Sequence, residues 1–501
     1  PCPPRAPERP PRREGDPEGL MAESPDQPRV GTDDWVAQHE ERLERRRGLA
    51  GLVERALGYV PGWAQLGLFA LLAGVLPFWM SRGDLFAYGI FTLLYILLGL
   101  GLNVVVGYAG LLDLGYVAFF GIGAYSYGLL SSEHYGIHWP AIASIPLIMV
   151  GTALVGLTLG LSSRRLLGDY LAIVTLFFGQ AFVVFVLAAN PVVHGQGLTG
   201  GPNGIADIDP LTFFGYELTT RKQQYLFLLG VVVVVVAALH FLSESRTGRA
   251  WRALREDPLA AAAMSIPVHR LKLMAFAIGA GIAGLAGCIF ASVLTAVTPG
   301  NFAVPILITI YAIVILGGIG SITGVILGAI VINVSFQFLA PENPQTNARV
   351  LFVAVLVLLI VLAVRRWWLA AAVVGGVIAF GFVTQAVVEA VAPSWTGGTV
   401  IEGGRLGGVI DDWVVIPKGH GDFGNFAYVA LVVCVIVFTQ LRGWARTVAL
   451  VPTVYLAMVV WETSFVEQPA VARWILFGAM LVGLMTVRPQ GLLGTPRVEI
   501  V

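Results

Sequence analysis

Between residues 63 and 487 the chain returns repeatedly to uncharged apolar runs of bilayer length, and no other feature limits its fold so strongly. A helix rising 1.5 Å per residue needs about 20 mostly apolar residues to cross a hydrocarbon core, with 17–25 tolerated. Candidate spans fall at 63–80, 86–106, 111–131, 140–161, 170–190, 225–242, 273–297, 304–318, 322–340, 349–364, 369–389, 426–441, 447–462 and 471–487. Several are short, so the expected total is about 14, within a range of 12–14. The expected class is all-α, a polytopic integral membrane protein. Composition points the same way: of 501 residues, 56% are hydrophobic and 12% charged, with a mean hydropathy of +0.79. Soluble domains carry roughly a quarter charged residues, so soluble enzymes, solenoids and disordered chains are excluded.

Basic residues set the expected orientation, since cytoplasmic loops are enriched in them. Arg45, Arg46 and Arg47 precede the first span, Arg164 and Arg165 follow the fourth, and six basic residues lie in 244–272. Arg365 and Arg366 follow the tenth span, Arg442 and Arg446 the twelfth, and Arg488 and Arg497 the last. Fourteen spans with both the N- and C-termini cytoplasmic put every cluster on one side. Lys+Arg and Asp+Glu both total 31, but the zero net charge hides a polar tail on an oily body and implies no nucleic-acid affinity. Cys2, Cys288 and Cys434 lie far apart and form no disulfide or zinc pattern.

Residues 1–62 are expected to form a cytoplasmic tail. The first methionine is Met21, and residues 1–20 are read as partly or wholly an extension of the native chain, without function. Residues 42–57, with Leu43, Leu49, Leu52 and Leu57 among arginines, suit either a helix lying on the inner membrane surface or a solvated basic flank.

Sixty glycines exceed the usual ~7% share. In lipid, small residues four apart let helix backbones approach. Gly279, Ala283 and Gly287 make one such stripe, and Ala280, Gly284 and Cys288 the next. Residues 279–284 and 195–200 both match Gly-x-Gly-x-x-Gly, yet neither follows a strand, so neither is read as a dinucleotide loop. Residues 100–125 and 316–328 place glycines and polar groups inside apolar runs, which predicts interrupted helices where freed backbone groups find protein or water partners. Candidate translocation-path residues are Asn103, Gly107, Tyr108, Gly110 and Asp113 in the first segment, with Gly317, Gly318, Gly320 and Thr323 in the second. A carboxylate at the bilayer centre costs about 2.5–3.5 kcal/mol. Asp113 is accordingly expected near the inner interface as a solvated turn carboxylate, with a substrate contact as the alternative.

Residues 244–272 are long for a simple connection. Asp257 suits an N-cap, Pro258 the first helical position, and Pro267 forces an end near Ser265 or Ile266. A two-turn helix with a small-residue face would fit a groove on another protein. Arg246, Arg249, Arg252 and Arg255, spaced by three, are expected to meet anionic lipid headgroups.

Residues 101–125, 168–176 (Gly-Asp-Tyr-Leu-Ala-Ile-Val-Thr-Leu), 198–205 (Leu-Thr-Gly-Gly-Pro-Asn-Gly-Ile), 245–276, 316–328 and 488–494 (Arg-Pro-Gln-Gly-Leu-Leu-Gly) together resemble the permeases of branched-chain amino acid ABC importers, the LivM/LivH family. The resemblance covers 63–340 and 471–494 as a permease core; 341–470 has no counterpart and reads as an insertion with about four extra spans. It implies a permease of an ATP-driven importer that moves branched-chain amino acids by alternating access across the plasma (inner) membrane of a bacterium. It further implies that Glu256, Asp257, Pro258, Ala260, Ala261 and Met264 couple the chain to ABC ATPase subunits. A paralogous permease and an extracytoplasmic solute-binding protein would complete the assembly. Asp113 and Tyr116 stand where the family often has Ser and His, and Ser265 where it often has Gly, which puts substrate identity in question.

No Gly-x-x-x-x-Gly-Lys-Ser/Thr occurs, so this chain is not expected to be the ATPase, and ATP-Mg would sit on partner subunits; no spaced His/Glu metal set or nucleophile elbow occurs, so no enzyme activity, cofactor or metal is expected. Two alternatives stay open: a urea or amide permease of the same family, and an ion-coupled secondary carrier. Such carriers place ionisable groups mid-span, where this chain offers little beyond Asp113 and Glu389.

Overall fold

The computed structural model describes residues 62–162, 169–189, 192–193, 196–213, 215–338, 367–391, 413–415, 423–441 and 444–461, with single positions such as Trp474, Gly491 and Leu492. The expected surface helix at 42–57, the basic pairs at 164–165 and 365–366, and nearly all of the spans 349–364 and 471–487 lie outside these residues. The chain divides into Pro1–Phe69 and Ala70–Val501, and the packing described below is that of the second unit.

Apolar length alone sets most elements. In chain order these are α1 (Gly62–Trp79), α2 (Arg82–Tyr108), α3 (Tyr116–Leu130), α4 (Ala141–Ser162), α5 (Asp169–Ala188) and α6 (Arg221–Glu244). The short α7 (Arg246–Glu256) and α8 (Pro258–Ala263) follow, then α9 (Val268–Leu294), α10 (Val304–Gly317) and α11 (Ile322–Phe338). Beyond them come α12 (Trp367–Val391), α13 (Phe423–Gln440) and α14 (Trp444–Val460). Among the described residues seven helices are long and apolar enough to cross a membrane: α2, α4, α5, α6, α9, α12, and α10 with its leading turn from Pro299. The 15-residue α3 rises only about 22 Å, because the chain between Tyr108 and Tyr116 is not helical, whereas the sequence suggested a span from 111.

The core is organised around α9, which is buried along most of its length and packs most extensively against α4 and α3. Lipid tails give helices no hydrophobic reason to associate, so close contact must do it, and the small-residue stripes supply that contact. A Cβ on Gly279 would lie 2.6 Å from Val105 Cγ2, and one on Gly287 2.3 Å from the Phe120 carbonyl. The neighbouring stripe turns to α4: Gly284 has room only for Thr152 Oγ1, and Ala280 fills the space left by Gly156. The formal nucleotide-loop pattern at 279–284 is therefore the middle of a helix crossing.

α2 widens into π-helical turns at Leu85–Ile90 and Asn103–Tyr108. Such turns free carbonyls that need donors. The Asn333 amide from α11 donates to Ala87 O at 3.0 Å and Thr92 Oγ1 at 2.7 Å, stitching α11 to the first of them.

At one end of the bundle, short hairpins and the 201–211 loop fold over α3 and α9. Ile205 and Val297 exchange backbone hydrogen bonds, and Asp209 N–H donates to Ser131 O. Helices α12–α14 share a buried cluster that includes Val373, Val377, Trp413, Tyr455 and Met458. Trp413 fits over Gly381 and donates to Ile378 O at 3.0 Å. The rings of Phe336, near the end of α11, and Trp474 lie 5.4 Å apart.

Candidate functional site

The site is assembled where two interrupted helices meet the α7–α8 connection, at the bundle end opposite the hairpins. α2 runs out at Tyr108, and Gly110 (φ +68°) turns the chain into residues 110–115. Gly110 and Leu112 in this stretch are exposed, and Leu111, Asp113 and Gly115 are buried. The stretch enters the bundle between α5 and α10, where its backbone is satisfied by side chains: Leu114 N–H donates to Thr175 Oγ1 at 2.9 Å, and Asp113 N–H to the Tyr311 hydroxyl at 3.0 Å. The Tyr311 hydroxyl in turn donates to Asp113 O at 2.6 Å.

Asp113 is thereby fully buried, not the solvated turn carboxylate expected from the sequence. Its Oδ1 accepts from Gly115 N–H at 3.0 Å, while Oδ2 has no hydrogen-bond partner among the described residues. The reason for the difference is the route of 110–115: the bonds to Thr175 and Tyr311 hold its backbone between neighbouring helices, and glycine at 115 allows the close approach. Gly115 faces the Thr175 carbonyl so closely that a Cβ would lie 2.3 Å from it.

The second interruption, after α10, uses Gly318 (φ +115°) and Gly320 (φ +89°). Gly317 and Gly324 lie backbone to backbone across the α10–α11 crossing. Leu492 N–H donates to Leu316 O at 2.8 Å, so Gly491 and Leu492 dock on this break. The two interruptions touch: buried Asn103 accepts from Gly320 N–H at 2.8 Å.

Arg255 joins both. Its Nη1 donates to Gly107 O at 2.7 Å, one of the carbonyls in the last turn of α2, which have no partner within the helix. This corrects the expectation that Arg255 contacts lipid headgroups. A three-residue spacing drifts about 60° per step on a 3.6-residue helix, so Arg255 lies about half a turn from Arg246 and faces inward. On the same inner face Trp251 stacks on Tyr108 with ring centroids 6.3 Å apart and donates to Leu271 O at 2.9 Å.

Past Arg255 comes the two-turn helix. Asp257 ends α7 and caps α8, its Oδ1 accepting from Leu259 N–H at 2.7 Å and Ala260 N–H at 3.1 Å. Pro258 occupies the first turn, and the helix stops at Met264 before Ser265 (φ +61°). Leu259 and Met264 stand out at 83% and 78% exposure, whereas Ala261 is buried at 3%. Glu256, Asp257, Pro258 and Ala260 are exposed with Leu259. Ala261 therefore faces the protein body, and Leu259, which the sequence reading passed over, stands on the outer face of α8. Of the candidate path residues, Asn103, Gly107, Gly110 and Gly320 converge, Tyr108 packs beside them, and Asp113 is buried beyond. Thr323 is apart from these, exposed and 3.2 Å from Ser321 Oγ.

Chemically the arrangement offers a hydrogen-bonded link between a surface helix and two backbone breaks, and no reacting group. Among the described residues no three His, Cys, Asp or Glu side chains gather to hold a metal.

Residues 85–364 match the family described as "Branched-chain amino acid transport system / permease component". The chain is 38% identical over 321 residues to the "High-affinity branched-chain amino acid transport system permease protein LivM" of Salmonella typhimurium, covering 59% of this chain and 73% of that protein. It is likewise 38% identical over 312 residues to LivM of Escherichia coli K12, covering 58% and 71%. Identity to LivH of Salmonella typhimurium is 25% over 291 residues, 53% of this chain and 89% of LivH. No solved structure matches.

Proposed function

The chain belongs to the permease family of branched-chain amino acid transport systems, and from that premise we propose that it is the membrane permease of an ATP-driven importer for branched-chain amino acids. In this reading its fourteen spans place both termini in the cytoplasm of a bacterium and the body in the inner membrane. It works with ABC ATPase subunits that bind ATP-Mg, a paralogous permease, and a solute-binding protein at the hairpin end. Residues 341–470 are an addition to the core.

The observation that carries this reading is α8, a capped two-turn helix with Leu259 and Met264 exposed beside the Arg255 link. Exposed apolar side chains on a charged loop suit a protein groove better than solvent. Glu256, Asp257, Pro258, Ala260 and Met264 would frame that contact, with Ala261 packing α8 onto its base. ATP-driven closure of the cassettes would push α8, and the glycine-broken segments at 103–115 and 317–320 would yield, giving alternating access.

Reconstituting the chain with its ATPase and permease partners and a leucine-loaded binding protein tests this. Wild type should show substrate-stimulated ATP hydrolysis and uptake, and Leu259→Glu with Met264→Glu should abolish both while the protein stays monodisperse. Uptake of labelled leucine but not urea would separate the amino-acid from the amide reading. The buried Asp113 favours one competitor, an ion-coupled carrier. Uptake driven by a proton or sodium gradient without ATPase subunits would establish that competitor and overturn our proposal.

A further inference from the structure

We propose that Arg255 is the positioning residue that transmits movement of α8 to both helix interruptions. This inference rests on the coupling reading above and names its internal route. α7 ends against the first break: a Cβ on Gly110 would lie 3.1 Å from Arg255 Cγ and 3.3 Å from its Cα. The guanidinium then extends to the second: a Cβ on Gly320 would lie 2.6 Å from Arg255 Nη1. Between them Nη1 holds Gly107 O at 2.7 Å, and Asn103 closes the ring through Gly320 N–H at 2.8 Å.

Three properties make this a transmission element. The guanidinium is planar and permanently charged, so its bond to a helix-terminal carbonyl is strong and directional. Gly110 and Gly320 both have positive φ and no side chain, so neither break can offer a softer contact in its place. Asp257 is at once the C-cap of α7 and the N-cap of α8, two residues beyond Arg255, so α8 cannot move without moving this side chain. Trp251, fully buried and bonded to the start of α9, holds α7 in line.

The test uses the complete complex in proteoliposomes, measuring uptake per ATP hydrolysed and stimulation by the loaded binding protein. Arg255→Gln is expected to lower both by about tenfold while co-purification with the ATPase subunits persists. Arg252→Gln, one turn earlier and hydrogen-bonded to Ser243 O at 3.3 Å on the exposed side of α7, is the control and should leave both unchanged. Coupling by Arg255→Gln equal to wild type, or an equal loss in Arg252→Gln, overturns the role of Arg255 and leaves the importer reading intact. A wild-type complex that is itself uncoupled overturns the importer reading, and the role of Arg255 falls with it.

If Arg255→Gln does not assemble, Arg255→Lys carries the test, since a point charge can hold one carbonyl but cannot replace the planar fork. Amide exchange in that complex should quicken in both 103–110 and 317–321. Unchanged protection in both segments refutes the proposal.

Discussion

Gly123→Ala puts the packing account at risk with a single methyl group. Gly123 lies on α3 where it crosses α9, and a Cβ there would sit 2.3 Å from Gly284 O and 2.6 Å from Gly284 Cα. Both obstructing atoms are backbone, so no side chain can swing away, and the helices must part by about 1 Å to reach ordinary contact distance. Overpacking of this kind costs about 1–3 kcal/mol, and often sits at the high end when backbone must move. Against it stands a gain of about 1 kcal/mol for replacing glycine by alanine inside a helix. The net expectation is a loss of about 1–2 kcal/mol, enough to shift the folded-to-unfolded ratio by roughly 5–30-fold. Gly151→Ala is the matched control, because no atom lies within 4 Å of a Cβ at that position on α4. It should keep or raise stability by up to ~1 kcal/mol. Thermal unfolding in one detergent, followed by fluorescence-detected gel filtration, reads both variants side by side. Equal melting temperatures for Gly123→Ala and Gly151→Ala would refute the view that close backbone approach, and not helix propensity, governs these glycines.

Asp257→Ala removes the acceptor for two amides of α8 and should cost about 1 kcal/mol of local stability, seen as faster exchange at Leu259 and Ala260, whereas Asp257→Asn should keep protection. Ser265 sits in the left-handed region at φ +61°, so Ser265→Gly should raise the melting temperature by relieving about 1 kcal/mol of strain; a lowered temperature would contradict this. His138 Nδ1 lies 2.6 Å from Asp209 Oδ2, and that hydrogen bond and negative charge raise the imidazole above its ordinary value near 6.5. Because the folded value is the higher one, the contact is fully present below that ordinary value and fades as pH climbs through the raised one. The protection of amides at 207–211, taken relative to their intrinsic base-catalysed exchange rates, should therefore fall with rising pH in wild type and lose that dependence in Asp209→Asn. Asn333→Leu leaves Ala87 O without its donor and should destabilise the α2–α11 contact by about 1–3 kcal/mol, measured by unfolding as above.

Span positions were legible because membrane helices advertise themselves by length: expected and observed ends agree within five residues for the described helices. The cap at Asp257 was legible for a local reason, since N-caps depend on side chains two and three residues away. The interruptions at 103–115 and 317–320 showed in their glycines. Their depth did not show, because whether Asp113 meets water or protein depends on Thr175 and Tyr311, residues 62 and 198 positions away, whose bonds hold 110–115 inside. Arg255 was misread because its spacing from Arg246, Arg249 and Arg252 looks regular as a list but turns around the helix. The inward direction of Ala261 could have been found by projecting residues 258–263 on a helix and seeing Leu259 and Ala261 fall on different faces.

The meeting of Phe336 with Trp474 bears on the proposed addition at 341–470. Phe336 and Trp474 stand 138 positions apart in the chain yet meet in space, and between them in sequence lies a buried cluster that includes Trp413 and Tyr455. A detour with adjacent doors can be cut out or swapped without rethreading the house. On the proposal that 341–470 are an addition to the core, joining residue 340 to residue 471 through a few glycines should leave a remainder that still inserts and stays monodisperse.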